Sequence, residues 1–567
     1  MAAIGGGLRA SRVALSASSF QTKTALSSMA GADTPAAVKR QTSTRLPADR
    51  AASTSKDKRW WWSSARIGNR RDHRETPFRV HGEPAGRQSL DPQLDGLANV
   101  RARVSVDQAA AARVSALGQP LAHRAGVCEL RASEADLEVA VGSGRRLFVV
   151  LRRAEASEIA GGAGICCDRV VPPHCMSHAV IVGAARTPLG SFQGALAELP
   201  AWRLGGAALA AAVARSGIPA ADYTDVVMGN VLSAGQGQAP ARRAALAAGL
   251  PPAVSTTTVH KVCGSGLQAV IQSAQALASG MGELYLAGGM ESMTQAPYLL
   301  PKARAGYRLG HGQILDSVIT DGLWDPHGDQ HMGTCAEACA SKYGFSRGEQ
   351  DAYAAESFRR AQRAQQAGAF DAEIVPIDIP SGKGATVTVA TDEGPARVNF
   401  DRMPTLKPAF AKDGTITAAN ASSINDGAAA VALTNEATAV SRGWKPLARI
   451  VGVGAHAQEP QWFTTAPVGA TRKALAAAGW RKDEVDLWEV NEAFAVVPLA
   501  FMRELEIDPT RVNVDGGAIA LGHPIGASGA RILVTLLGAL RRRGLRRGVA
   551  TICIGGGEGL AVCVELV

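Results

Sequence analysis

From residue 177 to the C-terminus, short apolar runs alternate with alanine-rich stretches of helical length. The run 180–182 (Val-Ile-Val) is typical of a buried strand, because strands covered on both faces read as short continuous apolar segments. The stretches 204–214, 267–278 and 530–540 are long and apolar enough to form core helices. This alternation predicts an α/β fold built from packed layers.

The same part of the chain repeats itself with a period of about 260 residues. Three short segments recur in the same order. The pairs of segments are 225–230 with 486–491, 264–266 with 527–529, and 285–289 with 553–557. The sequence therefore predicts two homologous halves, 176–441 and 442–567, with an insertion at roughly 297–418 in the first half.

The segment 1–175 differs in composition from the rest. Residues 1–75 hold fourteen Lys or Arg and five Asp or Glu, so nearly all of the net charge of +10 lies there. Positions 1–32 contain Arg9, Arg12 and Lys23 but no acid, which is typical of a mitochondrial or plastid transit peptide. We expect 1–175 to be a basic, disordered leader and the protein to be mitochondrial. If translation starts at Met176, we expect it to be cytoplasmic.

Composition excludes several classes of protein. Hydrophobic residues make up 46% of the chain and charged residues 19%, which is a globular composition. The longest uncharged apolar run has about eleven residues, short of the ~20 that a membrane helix needs. Because the basic charge lies in the leader, we do not expect the body to bind nucleic acid. Nine cysteines without regular spacing indicate a reduced compartment rather than a disulfide framework.

Cys263 is a candidate nucleophile in the segment VHKVCGSGLQAV. It follows the β-branched run 254–259 and precedes an apolar helix, so its thiol should lie beside the positive end of a helix dipole. That position lowers the pKa of a thiol and raises its thiolate fraction. The alternative is a small buried residue, the usual role of a free cysteine.

Three further candidates lie in the second half. His523 sits in a glycine-rich loop before a helix that we expect to begin near Ala530, where an imidazole can act as a base or bind an anion. Cys553 precedes three glycines whose backbone N–H groups could form an oxyanion hole. Asn491 ends the strand-like run 485–490, where an amide can orient a water or polarise a carbonyl. Each also has a plain structural interpretation, as a loop histidine, a strand cysteine and a turn asparagine.

Dinucleotide and metal sites are not predicted. The glycine-rich stretches near Gly264 and Gly555 do not supply G-x-G-x-x-G after a strand with an acid about 20 residues further on. The sequence also contains no H-E-x-x-H, no paired C-x-x-C and no carboxylate cluster. A Rossmann oxidoreductase or a metalloenzyme is therefore not expected.

Four motifs together resemble a thiolase: C-G-S-G at Cys263, N-E-A-F-A at Asn491, G-H-P-I-G at His523 and C-I-G-G-G at Cys553. Their order matches that of the family, and so do the two similar intervals from Asn491 to His523 and from His523 to Cys553. The similarity begins near Met176 and covers a whole thiolase subunit. It implies two similar βαβαβαββ halves in a five-layer α/β/α/β/α body, with a loop domain inserted in the first half.

The resemblance implies a mechanism as well. Cys263 would attack an acyl-CoA thioester while His523 accepts its proton, and Cys553 would then remove a proton from a second acetyl-CoA. One oxyanion hole would use His523 and a water held by Asn491, and the other the backbone N–H groups of Cys263 and Gly555. The implied activity is that of an acetyl-CoA C-acetyltransferase, the reversible condensation of two acetyl-CoA to acetoacetyl-CoA and CoA.

The resemblance also implies substrate contacts. His331 and Met332, in H-M-G, match residues that shape a small acyl pocket in short-chain thiolases. The expected coenzyme A contacts are Arg397, Val398, Asn399, Arg402 and Ser422. Coenzyme A is then a substrate and product, and no other cofactor is expected.

Two residues depart from the family pattern. His260 stands where Asn is common, and Phe358 stands where potassium-activated relatives have Tyr, so we do not expect potassium activation. The stretch 298–316 has the position of a tetramerisation loop, which implies a homotetramer.

Two other functions are open. A broad-chain 3-ketoacyl-CoA thiolase of β-oxidation would cleave long as well as short substrates. An inactive thiolase-fold lipid carrier would lack the nucleophile or the His/Cys pair, all of which this sequence keeps.

Overall fold

The structure is a computed structural model that describes residues 178–381 and 385–567. Of the preceding part it describes only the backbone of an antiparallel hairpin, Leu137–Val141 with Leu147–Leu151, which belongs to a separate compact unit. The remaining expectations for the leader 1–175 lie outside the described residues. Within the described part, no helix is long and apolar enough to cross a membrane.

The body alternates strands and helices as its hydrophobic pattern predicts. The main strands are β1 (Ala179–Arg186), β2 (Asp225–Gly229), β3 (Ser255–Val259), β4 (Leu284–Ser292), β5 (Ile377–Ser381), β6 (Ala385–Val389), β7 (Asn425–Asn435), β8 (Ala448–Ala457), β9 (Leu487–Val490), β10 (Arg547–Ile554) and β11 (Glu558–Leu566). The α-helices are α1 (Ala201–Ser216), α2 (Pro240–Ala247), α3 (Ser265–Ala278), α4 (Met332–Tyr343), α5 (Arg347–Gln366), α6 (Glu436–Arg442), α7 (Ala466–Ala478), α8 (Val496–Leu505), α9 (Ala518–Leu521) and α10 (Ile525–Arg543).

The two halves share one pattern of strand pairing. In the first half β2 is parallel to β4, and β4, β7 and β1 follow in antiparallel order. In the second half β9 is parallel to β10, and β10, β11 and β8 follow in antiparallel order. The predicted internal repeat is thus confirmed, since β2 and β9 carry the first pair of repeated segments. β3 is the outermost strand of the first half, and its residues are partly exposed.

Helices α3 and α10 form the central layer of a five-layer body. One buried cluster combines these two helices with the inner faces of the strands of both halves, which join through β8 and β1 into one sheet. Two outer clusters contain α1 and α2 on one side and α7 and α8 on the other. The central helices touch because glycine stands at their crossing: a Cβ at Gly266 would lie 2.9 Å from the backbone nitrogen of Ala530.

The second half departs from βαβαβαββ at its third strand. Only an isolated bridge between Val512 and Trp488 occupies that place. Asn513, at φ +46°, leaves the strand conformation, and its side chain pairs with β9 instead. The amide oxygen accepts from Val490 N at 2.8 Å, and the amide nitrogen donates to Val490 O at 2.8 Å. One side chain therefore replaces the backbone bonds of a longer strand.

The segment between β4 and β7 lies against the second half. Its helix α4 contacts α8, and its helix α5 contacts α9. Residues far apart in sequence are thereby brought to the ends of β9 and β10, where the candidate site is found.

Candidate active site

Cys263 lies in a tight turn between β3 and α3. The preceding residue, Val262, has φ +44°, which is unusual for a β-branched residue and costs on the order of 1–3 kcal/mol. Ser265 stabilises this conformation: its hydroxyl donates to Val262 O at 2.6 Å and accepts from Lys261 N at 2.8 Å. A Cβ at Gly264 would lie 2.4 Å from Ile554 Cδ1, so glycine allows the turn to approach β10 of the other half.

The pKa of the Cys263 thiol is raised in the structure, whereas its position in the sequence predicted a lowered pKa. Burial raises the pKa of Cys263 to about 11, although hydrogen bonds from the backbone N–H groups of Gly555 and of Cys263 itself act to lower it. The buried carboxylate of Glu291 raises it further. The prediction of a lowered pKa is therefore wrong for the free protein, because loss of water outweighs the backbone donors.

Cys553 approaches the same point from the second half. It lies at the buried end of β10, and burial together with the nearby Cys263 raises its pKa well above the ordinary value. The following turn has φ +89° at Gly556, which directs the backbone of Gly555 toward Cys263. The two thiols are thus adjacent, and a backbone donor lies beside them.

His523 is buried just before α10, which begins at Ile525 rather than near Ala530. The Ser528 hydroxyl donates to Pro524 O at 2.9 Å, so it accepts from Nδ1 of His523 at 2.6 Å. The proton then resides on Nδ1, and Nε2, which has no hydrogen-bond partner, carries a free lone pair. Burial, with the charge of Arg531, lowers the pKa of His523 to about 3. The imidazole is therefore a neutral base.

Asn491 lies beside this imidazole at the end of β9. Its amide nitrogen is 3.5 Å from Nδ1 of His523, and its amide oxygen is buried without a partner. Its backbone N donates to Thr551 O at 3.0 Å, which fixes it relative to β10. Oδ1 of Asn491 and Nε2 of His523, the two atoms that lack partners, are both hydrogen-bond acceptors, so a water or another proton donor would contact them.

Two supporting residues were missed by sequence reasoning. The amide oxygen of Asn425 accepts from the backbone N of His523 at 3.0 Å. Glu492 accepts from Tyr353 and Ser357 of α5 and from the backbone of Ile519 at 2.8, 2.7 and 3.1 Å. Both lie within recognised motifs, but only their contacts, which come from distant segments, reveal that they hold the His523 loop.

His331 and Met332 stand at the start of α4. Nδ1 of His331 accepts from Gly333 N at 3.0 Å, and its ring stacks on Phe410 with centroids 4.7 Å apart. A Cβ at Gly555 would lie 3.4 Å from the Met332 sulfur, so Met332 borders the backbone donor beside Cys263. The structure therefore brings Met332 to the site and makes His331 the cap of its helix.

The predicted coenzyme A residues line a cavity of about 580 Å³. Arg397, Val398, Asn399 and Arg402 are at its wall, together with Ile519 from the helix that precedes His523. Ser422 is not part of that lining. Its hydroxyl donates to Ala493 O at 3.0 Å, beside the Asn491 motif. The described residues contain no group of three or more His, Cys, Asp or Glu side chains placed to hold a metal ion.

Known proteins are similar to this chain over the whole body. The family descriptions "Thiolase, N-terminal domain" and "Thiolase, C-terminal domain" match residues 179–437 and 444–566. Acetyl-CoA acetyltransferase 2 of Arabidopsis thaliana is 51% identical over 388 residues, which is 68% of this chain and 96% of the relative. Acetyl-CoA acetyltransferase of Pseudomonas aeruginosa is 52% identical over 388 residues, 68% of this chain and 99% of the relative. A solved thiolase from Ascaris suum in complex with coenzyme A is similar at a TM-score of 0.65 and 42% identity, covering 69% of this chain and 100% of that one.

Proposed function

Because this chain belongs to the thiolase family, we propose that it is an acetyl-CoA acetyltransferase, which condenses two acetyl-CoA to acetoacetyl-CoA and CoA and catalyses the reverse thiolysis. The observation that carries the proposal is the meeting of Cys263 and Cys553, from opposite halves, beside the backbone N–H of Gly555. One cysteine can hold an acyl group while the other moves a proton of the second substrate.

In the first step, Cys263 transfers its proton to Nε2 of His523 as its sulfur attacks the acetyl carbonyl carbon. The thioester bond to CoA breaks, and His523 returns the proton to the departing CoA sulfur. We expect the backbone N–H groups of Cys263 and Gly555, which act on the sulfur in the free protein, to donate to the oxyanion. The raised pKa of Cys263 makes a base necessary, because little thiolate forms spontaneously near pH 7.

In the second step, Cys553 passes its proton to Nε2 of His523, and its thiolate removes a methyl proton from another acetyl-CoA. The carbanion attacks the acetyl carbon on Cys263, the carbon–sulfur bond to Cys263 breaks, and acetoacetyl-CoA is released. The sulfur of Cys263 then takes the proton back from Nε2 of His523, which restores the starting protonation states. We expect the negative charge on the thioester oxygen to be stabilised by the proton then held at Nε2 of His523 and by a water that Asn491 holds. Losing one such donor typically raises the barrier by about 2.7–4 kcal/mol.

Thiolysis is expected to retain its rate below pH 6.5. His523 must be neutral to accept a proton, so activity falls only as the pH drops through its pKa, which is about 3 instead of the ordinary 6.5. The measurement is kcat/KM from pH 7.5 to 5.5, with circular dichroism to verify folding. A tenfold fall for each pH unit below 6.5 would contradict the lowered pKa of His523.

The reaction is tested by following CoA-dependent loss of acetoacetyl-CoA and of a ten-carbon 3-ketoacyl-CoA. Met332 borders the site and restricts the room beside Gly555, which supports a short acyl chain. Fast cleavage of the first substrate alone supports the proposal. Comparable cleavage of both moves the assignment to a 3-ketoacyl-CoA thiolase, and no cleavage of either by folded protein leaves a carrier.

The cavity lined by Arg397 and Arg402 is the proposed site for the nucleotide part of coenzyme A. It joins the insertion to Ile519, four residues before His523, so a ligand lying there can extend toward the thiols. Two cationic side chains at its wall suit phosphate groups.

Potassium is expected to leave the rate unchanged. Phe358 presents an apolar ring to this cavity beside Ala418, Ala419 and Ala421, and packs against Ile519. Hard cations need oxygen ligands, which phenylalanine does not supply. We expect equal thiolysis rates in KCl and in NaCl, and Phe358→Tyr to introduce a preference for KCl. A faster rate of the wild type in KCl would contradict this prediction.

The assembly proposed is a homotetramer. Large apolar side chains are exposed on one segment of the insertion, a concentration that favours a protein interface. They are Tyr298, Leu300, Tyr307, Leu309, Ile314 and Trp324. Light scattering should give the mass of four chains, and a deletion of 300–314 should give a smaller assembly. A wild-type monomer would contradict the proposal.

We also propose that the protein is mitochondrial, because positions 1–32 are basic and free of acids. A fusion of residues 1–175 to a fluorescent protein should locate to mitochondria. A diffuse cytoplasmic signal would contradict it.

A further inference from the structure

We propose that Lys261 and Glu558 are a positioning pair that holds the Cys263 turn of one half against the Gly555 turn of the other. The ammonium of Lys261 donates a hydrogen bond to the carboxylate of Glu558. Lys261 lies two residues before Cys263, and Glu558 directly follows the glycines 555–557. The proposal rests on the thiolase reaction proposed above and assigns two residues that support it.

The distance between the two turns matters for the chemistry. A Cβ at Gly555 would lie 3.5 Å from Cγ1 of Val262, so the two turns are close, and the N–H of Gly555 acts across the two halves to favour the Cys263 thiolate. A donor that is misplaced by about 1 Å can lose much of its effect on a transition state. A contact that fixes one turn relative to the other therefore acts on the rate of the reaction.

Besides the packing of Gly264 on Ile554, each turn is held by hydrogen bonds within its own half. Ser265 anchors Lys261 and Val262, as described above. Gly557 O accepts from Gln458 N at 2.9 Å, and both residues belong to the second half. In the described part of the chain, Lys261–Glu558 is the only ion pair that joins the two turns. Val262 of the first turn also has a left-handed backbone, a strained conformation for a β-branched residue, which favours relaxation of that turn when an external contact is removed.

The pair is partly exposed to solvent. Its loss should therefore affect the rate of the reaction more than the stability of the fold. The side chains are 26% and 36% exposed, and ion pairs in such positions contribute little to global stability. They are also weakened by salt. We therefore expect a change in kcat with little change in the thermal unfolding midpoint.

The test uses two single variants, Lys261→Met and Glu558→Gln, and one double variant in which Lys261→Glu and Glu558→Lys reverse the pair. Each single variant should lower kcat for thiolysis about tenfold with KM for CoA unchanged, and the reversed pair should recover most of the loss. The control is Glu283→Gln, which breaks the exposed pair with Arg442 and should leave kcat unchanged. Single variants with wild-type kcat, a change confined to KM, or a reversed pair as slow as the singles would each overturn the proposal.

Alkylation of Cys263 by iodoacetamide gives a second measurement that does not require thiolysis. If the two charges acted only through space, Lys261→Met would slow alkylation and Glu558→Gln would speed it. A positioning pair predicts that both variants slow it, because both weaken the Gly555 contact to the sulfur. If the wild type is alkylated but does not cleave acetoacetyl-CoA, the proposed function fails while the pair is still tested.

Discussion

Replacing Cys263 by alanine is expected to lower kcat/KM for thiolysis of acetoacetyl-CoA by about 10⁴-fold or more, since no other group can carry the acyl intermediate. The turn that holds residue 263 depends on Val262 and Ser265, not on the thiol, so the variant should fold and still bind CoA. Steady-state kinetics measures the loss, and isothermal titration with CoA measures retained binding. The structure thus predicts an inactive protein with an intact binding site.

The matched control is Cys563→Ala, which removes another free, buried cysteine from β11. It should keep wild-type turnover with a slightly lower unfolding midpoint, since the lost sulfur leaves a small cavity. Turnover of the Cys263 variant within about 10²-fold of wild type would contradict the assignment of the nucleophile.

Replacing Cys553 by alanine is expected to separate the two steps of the reaction. Proton transfer by a positioned group contributes about 10²–10⁴-fold, so condensation and thiolysis should fall by that factor. Acetyl transfer to Cys263 should persist, because His523 and the donor at Gly555 are unchanged. Intact-protein mass spectrometry after incubation with acetyl-CoA should therefore find one acetyl group on this variant and none on Cys263→Ala.

Two results would contradict these roles of Cys263 and Cys553. Wild-type turnover of Cys553→Ala would remove Cys553 from the reaction. Failure of the folded variant to become acetylated would place Cys553 in the first step, as an activator of Cys263 instead of a base for the second substrate.

Much of the fold could be predicted because its signals are local. Short apolar runs beside alanine-rich stretches specify β1, α1, α3 and α10, and the repeated segments specify the two halves. The third strand of the second half was not predictable in the same way. Its loss depends on Asn513 pairing with Val490, 23 residues away, and nothing in the local pattern encodes that contact.

The residues of the candidate site could be predicted from the sequence, but the pKa of Cys263 could not. The thiol of Cys263 follows a strand and precedes a helix, so local reasoning considered only the helix dipole. Burial against the other half of the chain, which includes Ile554, reverses the direction of its pKa shift, although the N–H of Gly555 acts to lower the pKa. Burial by distant segments is a property of the folded chain, and a sequence window cannot contain it.

The side chain of Asn513 also affects how copies of this chain can associate. β9 is the outermost strand of the second half, and Asn513 occupies both backbone groups of Val490. The carbonyl groups of Trp488 and Asp486 accept from Asn513 N at 2.9 Å and from Nε of Arg511 at 3.1 Å. At the opposite end, β3 is partly exposed and available for pairing. In the main sheet that the structure describes, edge-to-edge pairing is therefore open at the β3 end only, so pairing through this sheet closes with two chains.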